Sequence, residues 1–241
     1  MTDDPLKRPR ADGDRTDQLV ESVLRDLWAM VNKLARVRPT TPDRYRVTVF
    51  GSARIQPGEP LYEDVRGLTQ TLSELGCDII SGGGPGLMQA ANEGSQQGDP
   101  EDQRESIGVT IALPFEKGAN PFVEQVYTHE SFFTRLHQFA RLSQAYVVFG
   151  GGIGTTLEML LIWQLLQVRH IPDAPLILVG DMWSGLIDWA KTHMLGTTPN
   201  LAGAEDLERP TCVQTPEQAL ELLRPHITKF HEAAPGGHRT Q

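Results

Sequence analysis

The chain has 241 residues, 39% hydrophobic and 22% charged, enough apolar material for one α/β domain and too little length for two full ones. Its formal net charge of −9 argues against a surface built mainly for nucleic acid, because neutralising phosphates needs clustered Lys and Arg. Cys77 and Cys212 lie far apart with no C-x-x-C pair, so they read as buried free thiols and suggest no metal site.

In chain order, residues 1–15 are rich in Asp, Arg and Pro and read as a disordered tail. They carry no apolar h-region, and no apolar run along the chain is long enough for a membrane span, so a cytoplasmic protein is expected. Helical spacing of Val20, Val23, Leu24, Leu27, Val31 and Leu34 predicts an amphipathic helix within 16–38, stopped by Pro39 and Pro42. A single nucleotide-binding domain is expected over 44–230, with a second disordered tail at 231–241.

Within that domain, apolar runs predict strands at 46–50, 77–80, 107–113, 145–149 and 175–179, and a last short one around Cys212 and Val213. Between them, helices are predicted at about 62–75, 87–97, 131–143, 156–168, 183–194 and 216–230. Residues 96–106 read as a surface loop. Trp163, Trp183 and Trp189 are expected in the core or at an interface. Continuously apolar strands alternating with helices imply a Rossmann-like α/β fold, a doubly wound sheet of mostly parallel strands with helices on both faces. Such sheets bind ligands at the carboxyl ends of their strands.

Two glycine clusters fall at those ends. Gly82, Gly83, Gly84 and Gly86 follow the second strand, after Ser81; Gly150, Gly151, Gly152 and Gly154 follow the fourth, before Thr155 and Thr156. Glycine lets the backbone approach a ligand closely, and a helix N-terminus offers unpaired N–H groups and partial positive charge. The second cluster therefore reads as a phosphate site to which two hydroxyls add donors. Simple tight turns are the alternative. No Gly-Lys-Ser/Thr follows, so this is not a P-loop, and the dinucleotide fingerprint fits poorly.

Glu158 is the single acid between residues 155 and 169. It reads either as a carboxylate beside the bound anion or as the far end of a capping box from Thr155. Arg135 shares a helical face with Phe132, Phe139 and Leu142 and needs an anionic partner: a phosphate, Glu158 or another carboxylate. His129 and His137 lack ligand spacing, and no metal is assigned.

The run Gly150-Gly-Gly-Ile-Gly-Thr-Thr-Leu-Glu158 resembles the P-G-G-x-G-T-x-x-E motif of the LOG family, with Gly150 in place of proline. That family comprises cytokinin riboside 5′-monophosphate phosphoribohydrolases and bacterial nucleotide nucleosidases, often labelled lysine decarboxylase-like. Arg135 matches its helix arginine at the family's spacing, with Leu136 where lysine is common. Val49-Phe-Gly-Ser-Ala-Arg54, Ser81-Gly-Gly-Gly-Pro-Gly-Leu-Met88 and Leu113-Pro-Phe-Glu116 resemble further signatures of a bacterial subgroup. The resemblance implies hydrolysis of the N-glycosidic bond of a nucleoside 5′-monophosphate, AMP-like or a cytokinin nucleotide, to free base and ribose 5-phosphate, without a cofactor. It implies Arg135 and Glu158 as catalytic residues. Substrate or phosphate contacts fall to Gly51, Ser52, Ser81, Gly82, Gly83, Gly84, Glu116, Gly151, Gly152, Gly154, Thr155 and Thr156. It also implies a homodimer or higher homo-oligomer, and it gives little support to amino-acid decarboxylation. A non-catalytic carrier or sensor of a nucleotide or phosphorylated cofactor is the alternative.

Overall fold

Val47, Val49, Ile79, Ile80, Val147 and Val148 are 0–1% exposed, and β-branched side chains of this kind favour the pleated backbone of a strand buried on both faces. The computed structural model describes residues 43–112 and 118–233. The expected helix at 16–38, the tail at 1–15, the segment containing Glu116 and the chain from 234 onwards lie outside the described residues.

Seven strands form one sheet: β1 (Tyr45–Phe50), β2 (Cys77–Ser81), β3 (Ser106–Ile111), β4 (Gln125–His129), β5 (Ala145–Val148), β6 (Leu176–Val179) and β7 (Pro210–Val213). Their spatial order is β4-β3-β2-β1-β5-β6-β7, and every pairing is parallel, where a mostly parallel sheet was expected. The strand order reverses at β1, between β2 and β5. The helices are α1 (Pro60–Glu74), α2 (Leu87–Gln97), α3 (Phe132–Leu142), α4 (Ile153–Gln167), α5 (Asp181–Ala190), the short α6 (Ala204–Leu207) and α7 (Pro216–Ala233). One face of the sheet buries Val47, Ile79, Leu72, Leu87 and Leu223; the other buries Phe50, Val109, Phe139, Met159 and Trp183. Each fully buried large apolar side chain contributes about 1.5–3 kcal/mol. Cys77 is buried and Cys212 half-buried, both as free thiols.

Four differences from the sequence reading have local causes. β4 is an edge strand whose exposed positions alternate with half-buried ones, so its polar Gln125, Thr128 and His129 hide it from a search for apolar runs. α6 is a four-residue turn held by Asp206, whose Oδ2 accepts from Gly203 N at 3.0 Å. α7 runs past Phe230 because Phe230 packs edge-on against Tyr45, with ring centroids 5.4 Å apart, and His231 Nε2 lies 3.2 Å from the Leu75 carbonyl. Of the three tryptophans, Trp183 is fully buried and Trp163 donates to the Asp206 carbonyl at 2.7 Å, whereas Trp189 is 52% exposed and outside the core.

Candidate functional site

In doubly wound sheets the ligand crevice lies outside the carboxyl ends of the strands at the order reversal, and here the loops of β1, β2 and β5 are tied together at that place. Ser52 N donates to the Gly150 carbonyl at 3.1 Å, joining the β1 and β5 loops. Leu87 N donates to the Ser52 carbonyl at 2.9 Å, joining the start of α2 to the same loop. Gly86 has φ +71 and lies against the backbone of Ser52 and Ala53, so neither its conformation nor its surroundings admit a side chain.

α4 begins at Ile153, three residues earlier than the sequence predicts, with Gly152 as its N-cap and no side chain capping it. Its first-turn N–H groups therefore remain available to an anion. This start also overturns the capping-box reading: Thr155 is the third helical residue, and Glu158 lies beyond the first turn. Thr155 is buried beneath Gly151. Thr156, expected to donate to a phosphate, instead donates to the Gly152 carbonyl at 3.0 Å.

Glu158 meets Arg135 directly. Arg135 Nη1 donates to Glu158 Oε1 at 2.8 Å, and each side chain is 12% exposed. Arg135 reaches this position from α3, whose N-cap Ser131 accepts from Phe133 N at 3.2 Å. Its Nε donates to the Val109 carbonyl within β3 at 2.8 Å, and its guanidinium lies 5.1 Å from the Phe139 ring centroid. Nη2 has no hydrogen bond to the described residues. It lies against Gly82, where an added Cβ would come within 2.6 Å of it. The turn at Gly82 thus lies against the guanidinium that holds the carboxylate on the helix after Gly150–Gly152.

Burial pushes the Glu158 carboxyl up from its ordinary value, and Arg135 partly opposes this. Burial, with the Arg135 charge, holds the His129 imidazole below its usual range. An acid on a helix beside N–H groups that the described residues leave open, steadied by a guanidinium whose Nη2 bonds none of those residues, can hold an anion and stabilise positive charge developing beside it.

The other expected contacts divide. Ser52, Gly84, Gly151, Gly152 and Gly154 reach the surface of the crevice loops. Gly51, Gly82 and Gly83 are buried supports. Ser81, expected as a contact, is fully buried: its Oγ accepts from Gly83 N at 2.9 Å and donates to Asn92 at 2.6 Å. Asn92 and Asn120, which also hold this turn, escaped the sequence reading. A polar residue at 92 on the apolar face of α2 is the signal that could have found the first. Among the described residues, no group of three His, Cys, Asp or Glu side chains could hold a metal ion. The described lysines, Lys191 and Lys229, follow α5 and fall near the end of α7, away from these loops.

A parallel, doubly wound sheet with glycine-lined loops and a buried acid–guanidinium pair at its order reversal defines a Rossmann-like α/β protein. Residues 88–223 match the family described as possible lysine decarboxylase, and the chain belongs to this LOG-like family. It is 30% identical over 160 residues to the pyrimidine/purine nucleotide 5′-monophosphate nucleosidase of Escherichia coli K12, and equally to that of Escherichia coli O157:H7. The match takes in 62% of this chain and 35% of the relative, so the chain spans about a third of the length of the curated relatives it matches. In fold it is similar to the molybdenum cofactor binding protein of Rippkaea orientalis, with a TM-score of 0.55 and 19% identity over 76% of this chain and 98% of that one. It is likewise similar to the molybdenum cofactor carrier protein of Chlamydomonas reinhardtii, with a TM-score of 0.52 and 16% identity over 77% and 99% of the two chains.

Proposed function

We propose that this protein hydrolyses the N-glycosidic bond of a nucleoside 5′-monophosphate, AMP-like or a cytokinin nucleotide, to free base and ribose 5-phosphate. The observation that carries the reading is the Arg135–Glu158 pair, 2.8 Å apart and enclosed by the turn at Gly82, beside the uncapped start of α4. The 5′-phosphate sits on the N–H groups of Gly152, Gly154 and their neighbours, which fixes the ribose. Glu158 faces the sugar. As the C1′–N bond breaks and its electron pair leaves with the base, the carboxylate stabilises the oxocarbenium-like C1′ and orients the water whose oxygen bonds to it. One proton of that water passes by way of Glu158, and the departing base takes up a proton. Burial raises the Glu158 pKa, which makes its carboxylate a stronger proton acceptor than an exposed one. Arg135 orients Glu158 through Nη1 and offers Nη2 to a substrate oxygen.

The test is release of free base from AMP, GMP, CMP and isopentenyl-AMP by the purified protein, read by chromatography. Turnover is expected, with Glu158→Gln lowering kcat by about 100-fold or more, as a positioned acid–base group contributes. Full activity in Glu158→Gln overturns the assignment.

Gly150 and Leu136, where the family pattern has proline and often lysine, favour a second reading, a non-catalytic binder of a nucleotide or phosphorylated cofactor. Tight nucleotide binding without base release selects it. In either case a second copy of the chain covers the stripe of Ile153, Leu157 and Leu160 on α4, which are 88%, 48% and 44% exposed. A two-fold contact needs a patch complementary to itself, and an uncharged apolar helix face is one. A cytoplasmic site of action fits a nucleotide substrate.

A further inference from the structure

Asn92 is fully buried on α2, where its neighbours Leu87, Ala90 and Ala91 pack into the core. A buried amide is costly unless its hydrogen bonds are made. Asn92 Oδ1 accepts from Ser81 Oγ at 2.6 Å and from Asn120 Nδ2 at 3.0 Å, and its Nδ2 donates to Ser106 Oγ at 3.0 Å. Asn120 lies on the segment that leads into β4 and is 9% exposed. It grips the turn at 82–86 twice: its backbone N–H donates to the Gly83 carbonyl at 2.7 Å, and Nδ2 donates to the Gly84 carbonyl at 3.0 Å. Its Oδ1 accepts from Phe122 N at 3.1 Å, which closes its own segment.

An apolar pair could fill this space. What the two amides add is direction. In a trans peptide the carbonyl and the following N–H point to opposite sides. With the Gly83 carbonyl turned to Asn120, the Gly84 N–H points away from it, and no described residue accepts it. Residue 85 is proline and has no N–H to offer. The same turn carries Gly82, which walls in Arg135 Nη2. The backbone N–H of Asn120 therefore sets the direction of the free Gly84 donor, and its side chain, bonded to the Gly84 carbonyl and to Asn92, holds that backbone and the Gly82 turn in place.

We infer that Asn120, anchored by Asn92, is a positioning residue of the nucleotide site: it aims the Gly84 N–H at an oxygen of the bound sugar phosphate and holds Gly82 against Arg135. This rests on the nucleotide reading above. It assigns Asn120 no contact with substrate.

The test uses the full chain as wild type and Asn120→Ala, with three readouts: ribose 5-phosphate binding by calorimetry, amide hydrogen exchange and thermal denaturation. Removing the Asn120 side chain is expected to weaken ribose 5-phosphate binding about tenfold, equivalent to about 1.4 kcal/mol. Exchange should quicken at 82–84, with β1 and β5 unchanged. Unchanged affinity in a variant that only melts earlier overturns the inference and leaves the nucleotide reading standing. Wild type that binds neither AMP nor ribose 5-phosphate overturns both. If Asn120→Ala does not fold, Asn120→Ser, too short to reach the Gly84 carbonyl, is measured in the same way.

Discussion

Arg135 and Glu158 are each 12% exposed, so each charge depends on the other for compensation. Breaking a buried pair from one side leaves an unpaired charge, which costs more than the pair itself contributes. Arg135→Ala is therefore expected to lower stability by about 3 kcal/mol in urea denaturation. Glu158→Gln, whose amide oxygen can still accept from Nη1, should cost less than half of that. A second expectation concerns pH. The folded-state pKa of Glu158 is raised above its ordinary 4.5, so its contribution to stability is complete below that value and is lost as pH rises through the folded-state value. The stability difference between wild type and Glu158→Gln, measured by denaturation at a series of pH values, should shift in favour of the glutamine variant as pH rises across that window. A difference that does not change with pH contradicts the buried placement of the carboxylate.

At the scale of elements, α4 is apolar on more than one face. Met159, Ile162 and Leu166 pack against the sheet, whereas Ile153, Leu157 and Leu160 face outward. A helix that only covered a sheet would carry polar residues on that outer face. Leu157→Glu with Leu160→Glu is expected to reduce the solution mass to that of one chain, by light scattering after size exclusion, without altering far-ultraviolet circular dichroism. A mass equal to wild type would place the contact elsewhere. Helix and strand cores were legible wherever apolar spacing was unambiguous: α2 runs from Leu87 to Gln97, as its pattern predicts. Two features escaped for physical reasons. β4 has one neighbour and little to bury, so it carries no apolar run. The start of α4 at Ile153 was hidden because a glycine N-cap leaves no capping side chain to read.

For the whole molecule, a ligand that binds the folded chain and not the unfolded one stabilises it by mass action. AMP at about 100 times its dissociation constant should add about 2.7 kcal/mol of stability, seen as a rise in Tm. The gain should shrink in Arg135→Ala. No rise with any nucleoside monophosphate or with ribose 5-phosphate would argue against the crevice as a nucleotide site. The amino-acid sequence by itself determined the α/β alternation, the glycine turns at strand ends and the pairing of one acid with one guanidinium as candidates, because periodicity and residue chemistry are local properties. Only the tertiary structure decided that Glu158 is the partner of Arg135, that Ser81 and Thr155 are buried, that Thr156 bonds back to Gly152, and that Asn92 and Asn120 hold the turn. Apart from the Thr156 bond, which follows from where α4 starts, each of these depends on which strand ends lie side by side, and the order reversal at β1 brings together segments from residues 51 to 158 that no local pattern connects.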